Sequence, residues 1–153
     1  MGYKDHTKEL PGVDFSIIVV TDSRDEKSDE SGKKAKEILG DLVRELKFVP
    51  NKPGAIKNSI SRALGRVVLT IGGTGISKND ITVETVRLRC RKELEGFGDI
   101  FRMLSFREIG SGAIMSRAFC GVCGEKLVFC LPGSPRAVEL GLRDIILKEA
   151  PHI

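Results

Sequence analysis

The stretch from Arg66 to Leu94 constrains the fold of this chain most. Arg66 to Ile71 is a nearly continuous apolar, β-branched run, as a parallel strand buried on both faces requires. It stops at Gly72-Gly73-Thr74-Gly75. A helical stripe then follows from about Thr82 to Leu94, with Val83, Val86, Cys90 and Leu94 on one side. A strand passed to a helix through glycines is the repeating unit of an α/β sheet.

The rest of the chain repeats the unit. Phe15 to Thr21 reads as a second buried strand, followed by a charged loop from Asp22 to Ser31. Ala35, Ile38, Leu39, Leu42, Val43 and Leu46 keep helical spacing and predict a helix over Gly32–Lys47. Lys47 to Pro50 reads as a short strand. Pro53 suits the first turn of a helix carrying Ile56, Ile60, Ala63 and Leu64 inward. Gly96 is expected to end the helix before it, and Phe97, Ile100, Phe101 and Leu104 form a further stripe. Ala113–Cys120 and Lys126–Leu131 read as strands joined by a turn over Gly121–Glu125. Ser134 is placed to cap a last helix beginning at Pro135, burying Val138, Leu142, Ile145 and Ile146 and ending near Glu149. The pattern predicts an α/β domain with a mainly parallel sheet and an antiparallel edge hairpin.

At 153 residues the chain has room for one domain, read here as 14–153 after a polar arm over 1–13. No apolar run approaches the roughly 20 residues that span a bilayer, and the first twenty lack a signal-peptide layout, so the expected location is cytoplasmic, off the membrane. Net charge is +4, but basic and acidic residues interleave, Trp is absent and Tyr3 is the single tyrosine. That pattern argues against a nucleic-acid partner. His6 and His152 lie near the termini, which leaves no histidine triad or histidine metal centre.

Three loops carry candidate chemistry, each after a strand and before a helix. In open α/β sheets ligands sit outside the carboxyl ends of the strands. Gly72, Gly73, Thr74 and Gly75 could bring backbone N–H groups close to a phosphate, or form only a tight turn. Asp80 beyond them reads as a Mg²⁺ ligand or as a helix cap. Gly133 and Ser134 make a second such loop, again either an anion cradle or an ordinary turn. Thr21 and Ser23 in the first loop offer hydroxyls to the same cleft, or lie in a solvated loop. Ser116 and Arg117 could add a hydroxyl and a guanidinium. Cys120-x-x-Cys123 invites a zinc or redox reading, but lacks the second tight pair of a closed zinc site. Cys90, Cys120 and Cys130 read as small buried hydrophobes.

Taken in order, these elements resemble the molybdenum cofactor biosynthesis family of the MoaB/MogA type. The resemblance runs from about Phe15 to Glu149. It rests on Val20-Thr21-Asp22-Ser23-Arg24, Asp29-Glu30-Ser31-Gly32, Leu69 to Gly75, Asn79 to Glu84, Glu95-Gly96-Phe97, Met115-Ser116-Arg117-Ala118 and Leu131 to Pro135. It implies a three-layer α/β/α fold and assembly as a homotrimer or a hexamer built as a dimer of trimers. It also implies molybdopterin and ATP as substrates, with Mg²⁺, in adenylylation of the pterin phosphate, and a metal-inserting enzyme as partner. The family's metal-associated aspartate falls on Asp80. Its cradles fall on Gly72, Gly73, Thr74, Gly75, Gly133 and Ser134, with Ser116 and Arg117. Asn51 stands where the family often carries an aspartate, and asparagine cannot neutralise a cation. That departure supports an alternative, a non-catalytic oligomeric module that holds molybdopterin.

Overall fold

The computed structural model describes residues 12–153. Most of the arm expected over 1–13 therefore lies outside the described residues. Six strands form one sheet: β1 Phe15–Val20, β2 Val43–Val49, β3 Val67–Ile71, β4 Lys92–Glu93, β5 Phe119–Cys123 and β6 Lys126–Leu131. Their order is β2-β1-β3-β6-β5-β4. The first four in that order run parallel, and β5 and β4 complete an antiparallel edge.

Both faces of the sheet are covered. Phe15, Ile17, Val19, Leu69, Ile71, Phe129 and Leu131 point to one side. They pack there against α1 Ser31–Leu39, α4 Glu95–Ile109 and α5 Pro135–Gly141. The alternate residues Ile18, Val20, Val68, Val128 and Cys130 point to the other side. Helices α2 Pro53–Ser61 and α3 Thr82–Arg87 cover them through Ile56, Ile60, Val83 and Val86. Every residue of β1 and β3 is buried, which explains why their sequences lack polar alternation. The chain closes with α5 running through a π turn at Leu142–Ile146 into α6 Leu147–Glu149.

Several boundaries differ from the sequence expectation. The stripe from Ala35 to Leu46 is not one helix. Gly40, with φ +53°, ends α1, and Val43 and Leu46 belong to β2. Helical and strand spacing happen to run on in phase across that glycine. Leu64 is 60% exposed rather than inward. The third helix stops at Arg87 because the chain turns out to pair Lys92 and Glu93 with β5. Gly96 does not break a helix: it lies in the first turn of α4, with open space around it. Ile100 on α4 faces outward. Residues 110–115 form a 3₁₀ turn rather than a strand, and β5 begins only at Phe119.

The cysteines divide differently as well. Cys90 and Cys123 form a disulfide across 33 positions, so Cys90 is no plain core residue and Cys123 closes β5 rather than sitting in the turn. Cys120-x-x-Cys123 is thus no chelating pair. Cys120 and Cys130 are buried free thiols. Burial pushes the Cys130 thiol up to about 12 and holds the Cys120 thiol protonated as well. Denatured without reductant, the chain should titrate two thiols, against four after reduction. Four thiols without reductant would mean that Cys90 and Cys123 are unpaired.

Candidate functional site

The carboxyl ends of β1, β3 and β6 open into a cleft of about 600 Å³. Each strand delivers one loop to it, and each loop has a physical reason to stay there. After β3, Gly72 and Gly73 adopt φ of +104° and +74°, values L side chains rarely take. A Cβ on Gly72 would stand 2.5 Å from the Val20 carbonyl oxygen, so the first and second loops touch backbone to backbone. The Gly72 N–H donates to Leu131 O at 2.9 Å, and the Thr82 N–H donates to Gly73 O at 3.1 Å. The glycine loop is thereby tied both to β6 and to the start of α3.

The first loop is held from beneath. Arg24 lies 3.5 Å from Asp29, a carboxylate 1% exposed, and donates to Gly133 O at 3.3 Å. Asp29 in turn accepts from the Gly32 N–H at 2.7 Å, the job of a cap at the head of α1. Ser31 Oγ also donates to Gly133 O. The Thr21 hydroxyl accepts from the backbone N–H groups of Ser23 and Arg24. In the third loop Ser134 accepts from the Ala137 N–H at 3.1 Å and Pro135 opens α5, as the sequence predicts.

Thr21, Ser23, Asn51, Gly72, Gly73, Thr74, Gly75, Asp80, Ser116, Gly133 and Ser134 all line this cleft. Arg117 does not. Its guanidinium is held by Glu84 and by the Thr74, Gly75 and Asp80 carbonyl oxygens, so it braces the glycine loop. Asp80 is not the cap of α3: the cap position is Ile81, without a side-chain bond. Asp80 Oδ2 accepts from the Ser77 N–H at 2.9 Å. A Cβ on Gly75 would fall 2.7 Å from that oxygen, so the carboxylate lies against the glycine loop.

Sequence reasoning left out Asp22. Its carboxylate accepts from the Asn51 backbone N–H at 2.9 Å and from Asn51 Nδ2 at 3.3 Å. Asn51 therefore orients a carboxylate at the place where its own side chain lacks one. Asn51 Oδ1 is buried without a partner, as is Ser116 Oγ. Buried polar atoms without partners are costly, and here both border the cleft. Phe101, Ile109 and Met115 supply an apolar wall, also absent from the sequence reading. Among the described residues no three His, Cys, Asp or Glu side chains gather into a metal cage. Asp22 and Asp80 bring carboxylates to the cleft lining, the ligand type that a hard cation carrying its own phosphate ligands takes.

Comparison with known proteins bears directly on this geometry. The family described as Probable molybdopterin binding domain matches residues 16–152. Molybdenum cofactor biosynthesis protein B of Bacillus anthracis is 41% identical, spanning 100% of this chain and 96% of that protein. The Bacillus subtilis protein of the same name is 39% identical, spanning 100% and 95%. A crystal structure of a tungsten cofactor synthesizing protein, MoaB from Pyrococcus furiosus, superposes with a TM-score of 0.83 at 35% identity, covering 93% of this chain and 94% of its own.

Asp80 and Glu84 both sit below the ordinary carboxylate range. For Asp80 burial alone would raise the value, but the Ser77 hydroxyl and N–H, the Gly75 N–H and the nearby Arg117 charge outweigh it. For Glu84 the Arg117 guanidinium is the largest influence. A depressed carboxyl contributes stability above its unfolded value and loses it as pH falls through the folded one. The Asp80→Asn, Glu84→Gln double variant should therefore show a flatter fall of Tm between about pH 5 and pH 2 than the parent. Parallel curves in a thermal melt series would contradict the pairing.

Proposed function

Because the chain belongs to the molybdopterin-binding domain family, we propose that it acts in molybdenum or tungsten cofactor biosynthesis, binding molybdopterin in this cleft and adenylylating it with Mg-ATP. The observation that carries the reading is the convergence of three strand-end loops, with unpartnered oxygens of Asn51 and Ser116, on one cleft of about 600 Å³. Two glycine loops supply N–H groups without Cβ atoms in the way, as two phosphate groups brought side by side require.

In this reading an oxygen of the pterin phosphate attacks the α-phosphorus of ATP. A phosphorus–oxygen bond forms, the bond to the β-phosphate breaks, and pyrophosphate leaves. Mg²⁺, held by Asp80 and Asp22, would neutralise phosphate charge. The chain's own work is placement: Gly72 to Gly75 hold one phosphate, Gly133 and Ser134 hold the other, and Asn51 aims Asp22. Thr21, Ser23 and Ser116 border the substrates. The apolar wall from α4 suits the flat pterin ring.

A second reading, a non-catalytic module that holds molybdopterin, is favoured by Asn51 replacing the family's aspartate. Pyrophosphate release from Mg-ATP with molybdopterin separates the two. The adenylylation reading expects release, with a loss of at least about 100-fold in Asp80→Asn while pterin binding changes little. Tight pterin binding without release leaves the module. A clear rate gain in Asn51→Asp would show that Asp22 only partly replaces the missing charge.

The proposal extends to assembly as a homotrimer or a dimer of trimers. Met103, Phe106, Ile109, Ile114 and Met115 are each more than half exposed on α4 and the turn after it, with Ile114 at 77%. A contiguous apolar face of that kind seeks a partner. Since Ile109 and Met115 also line the cleft, a neighbouring copy there would extend its wall. Light scattering should give about three or six times the 16.7 kDa chain mass, and Phe106→Glu should shift it toward one. A monomeric parent at micromolar concentration would overturn this. Among the described residues no helix is long and apolar enough to cross a membrane, and a cytoplasmic setting is part of the proposal, as is handover of the product to a metal-inserting enzyme.

A further inference from the structure

The opposite end of the sheet carries a larger cavity, about 880 Å³, whose lining the proposed chemistry does not use. Four cations meet there. Lys57 comes from α2, Arg66 from the residue before β3, Arg89 from just after α3, and Lys126 from the first residue of β6. Glu125 is the one carboxylate among the lining residues. The five residues of β3 separate this cavity from the cleft by roughly 16 Å.

Three of these four cations have no partner of their own, as Arg62, Arg91 and Arg107 have none singly elsewhere among the described residues, but here they share one cavity. Arg24, Arg44, Arg87, Arg102, Arg117 and Arg136 each have a carboxylate within ion-pair distance. Among the described residues the head groups of Lys57, Arg66 and Arg89 have neither an ion pair nor a hydrogen bond. Lys126 is anchored: its ammonium donates to Ala63 O at 2.6 Å and Gly65 O at 3.1 Å, which leaves one N–H to spare. The strand-end turn that holds it is rigid. The Gly65 N–H donates to Ser16 Oγ at 2.8 Å, and a Cβ on Gly65 would stand 2.6 Å from the Phe15 backbone. The hydroxyls of Ser61 and Thr85 already donate to the Lys57 and Ile81 carbonyl oxygens, so recognition here falls to the cations.

We propose that this cavity binds a compact multivalent phosphate anion, either free pyrophosphate or the polyphosphate tail of a nucleotide. Four cations around a preformed cavity repel one another until an anion of several charges neutralises them. Two guanidinium groups can each take two phosphate oxygens, and an anion with several charges spread over many free oxygens meets both forks and both ammonium groups at once. This inference stands independently of whether the cleft adenylylates molybdopterin.

Amide resonances of the full chain read the two ends separately. Titrating pyrophosphate at low salt should move Gly65, Gly124 and Lys126, whatever happens at Gly73 and Ser134. Arg66→Gln combined with Arg89→Gln, both at exposed positions, should weaken that response at least ten-fold, leave the cleft resonances as in the parent and preserve the melting midpoint. ATP moving the same amides assigns the site to nucleotide tails, and pyrophosphate alone doing so assigns it to the free anion. Silent Gly124 and Lys126 amides, or an affinity indifferent to the double variant, would overturn the proposal.

Discussion

The cleft depends on one guanidinium. β-Sheet hydrogen bonds stop where the strands stop, and the loops beyond β1 and β6 have no ladder to fix them. Arg24 reaches from the first loop to the Gly133 carbonyl of the third while standing against the buried Asp29 at the head of α1. A buried carboxylate without a cation is strongly unfavourable, so Asp29 holds Arg24 as much as Arg24 holds the loops. Ser31 donates to the same Gly133 carbonyl. The glycine loop after β3 then fits into the space this arrangement leaves, where a Cβ on Gly72 would run into Val20 O.

That architecture separates two tasks. Stability rests on apolar burial across both faces of β1, β3 and β6, where each large side chain contributes about 1.5–3 kcal/mol. Placement of polar groups rests on backbone carbonyls and N–H groups, with side chains such as Arg117 and Asp29 working behind the loops. The polar part of the surface left for a ligand is therefore mostly main chain, glycine and short hydroxyl side chains, bordered by the carboxylates of Asp22 and Asp80 and facing the apolar wall from α4.

Much of this was legible in the residues. The buried strands, the glycine loop, the Ser134 cap and the edge hairpin follow from local pattern, and the three strand-end loops do meet. What was hidden depends on contacts remote in sequence. The end of β2 was read as a short strand over Lys47 to Pro50, but its first residues lay masked behind an apolar stripe that happened to continue across Gly40, and the glycine itself was the available signal. β4 is two residues long and exists only because β5 lies beside it. Asp22, flanked by Thr21 and Ser23, could have been included on position alone, since it follows a strand at its carboxyl end. The bracing contact of Arg117 could not have been read, because nothing local announces that Glu84 takes its guanidinium. The wall from α4 needed the packing of that helix against the sheet.

The strand order also governs how the chain can be made. β3 pairs with β1 on one side and with β6 on the other, and Ile71 meets Leu131 only after 60 further residues. Such distant pairing closes large loops before any contact rewards them, which slows folding. On a ribosome, one edge of the central strand stays open until the chain is nearly finished. The apolar faces of β1 and β3 wait for α4 until residue 109 and for α5 until after β6 itself. The nascent protein therefore carries its longest-lived aggregation hazard at the centre of the future core rather than at its rim.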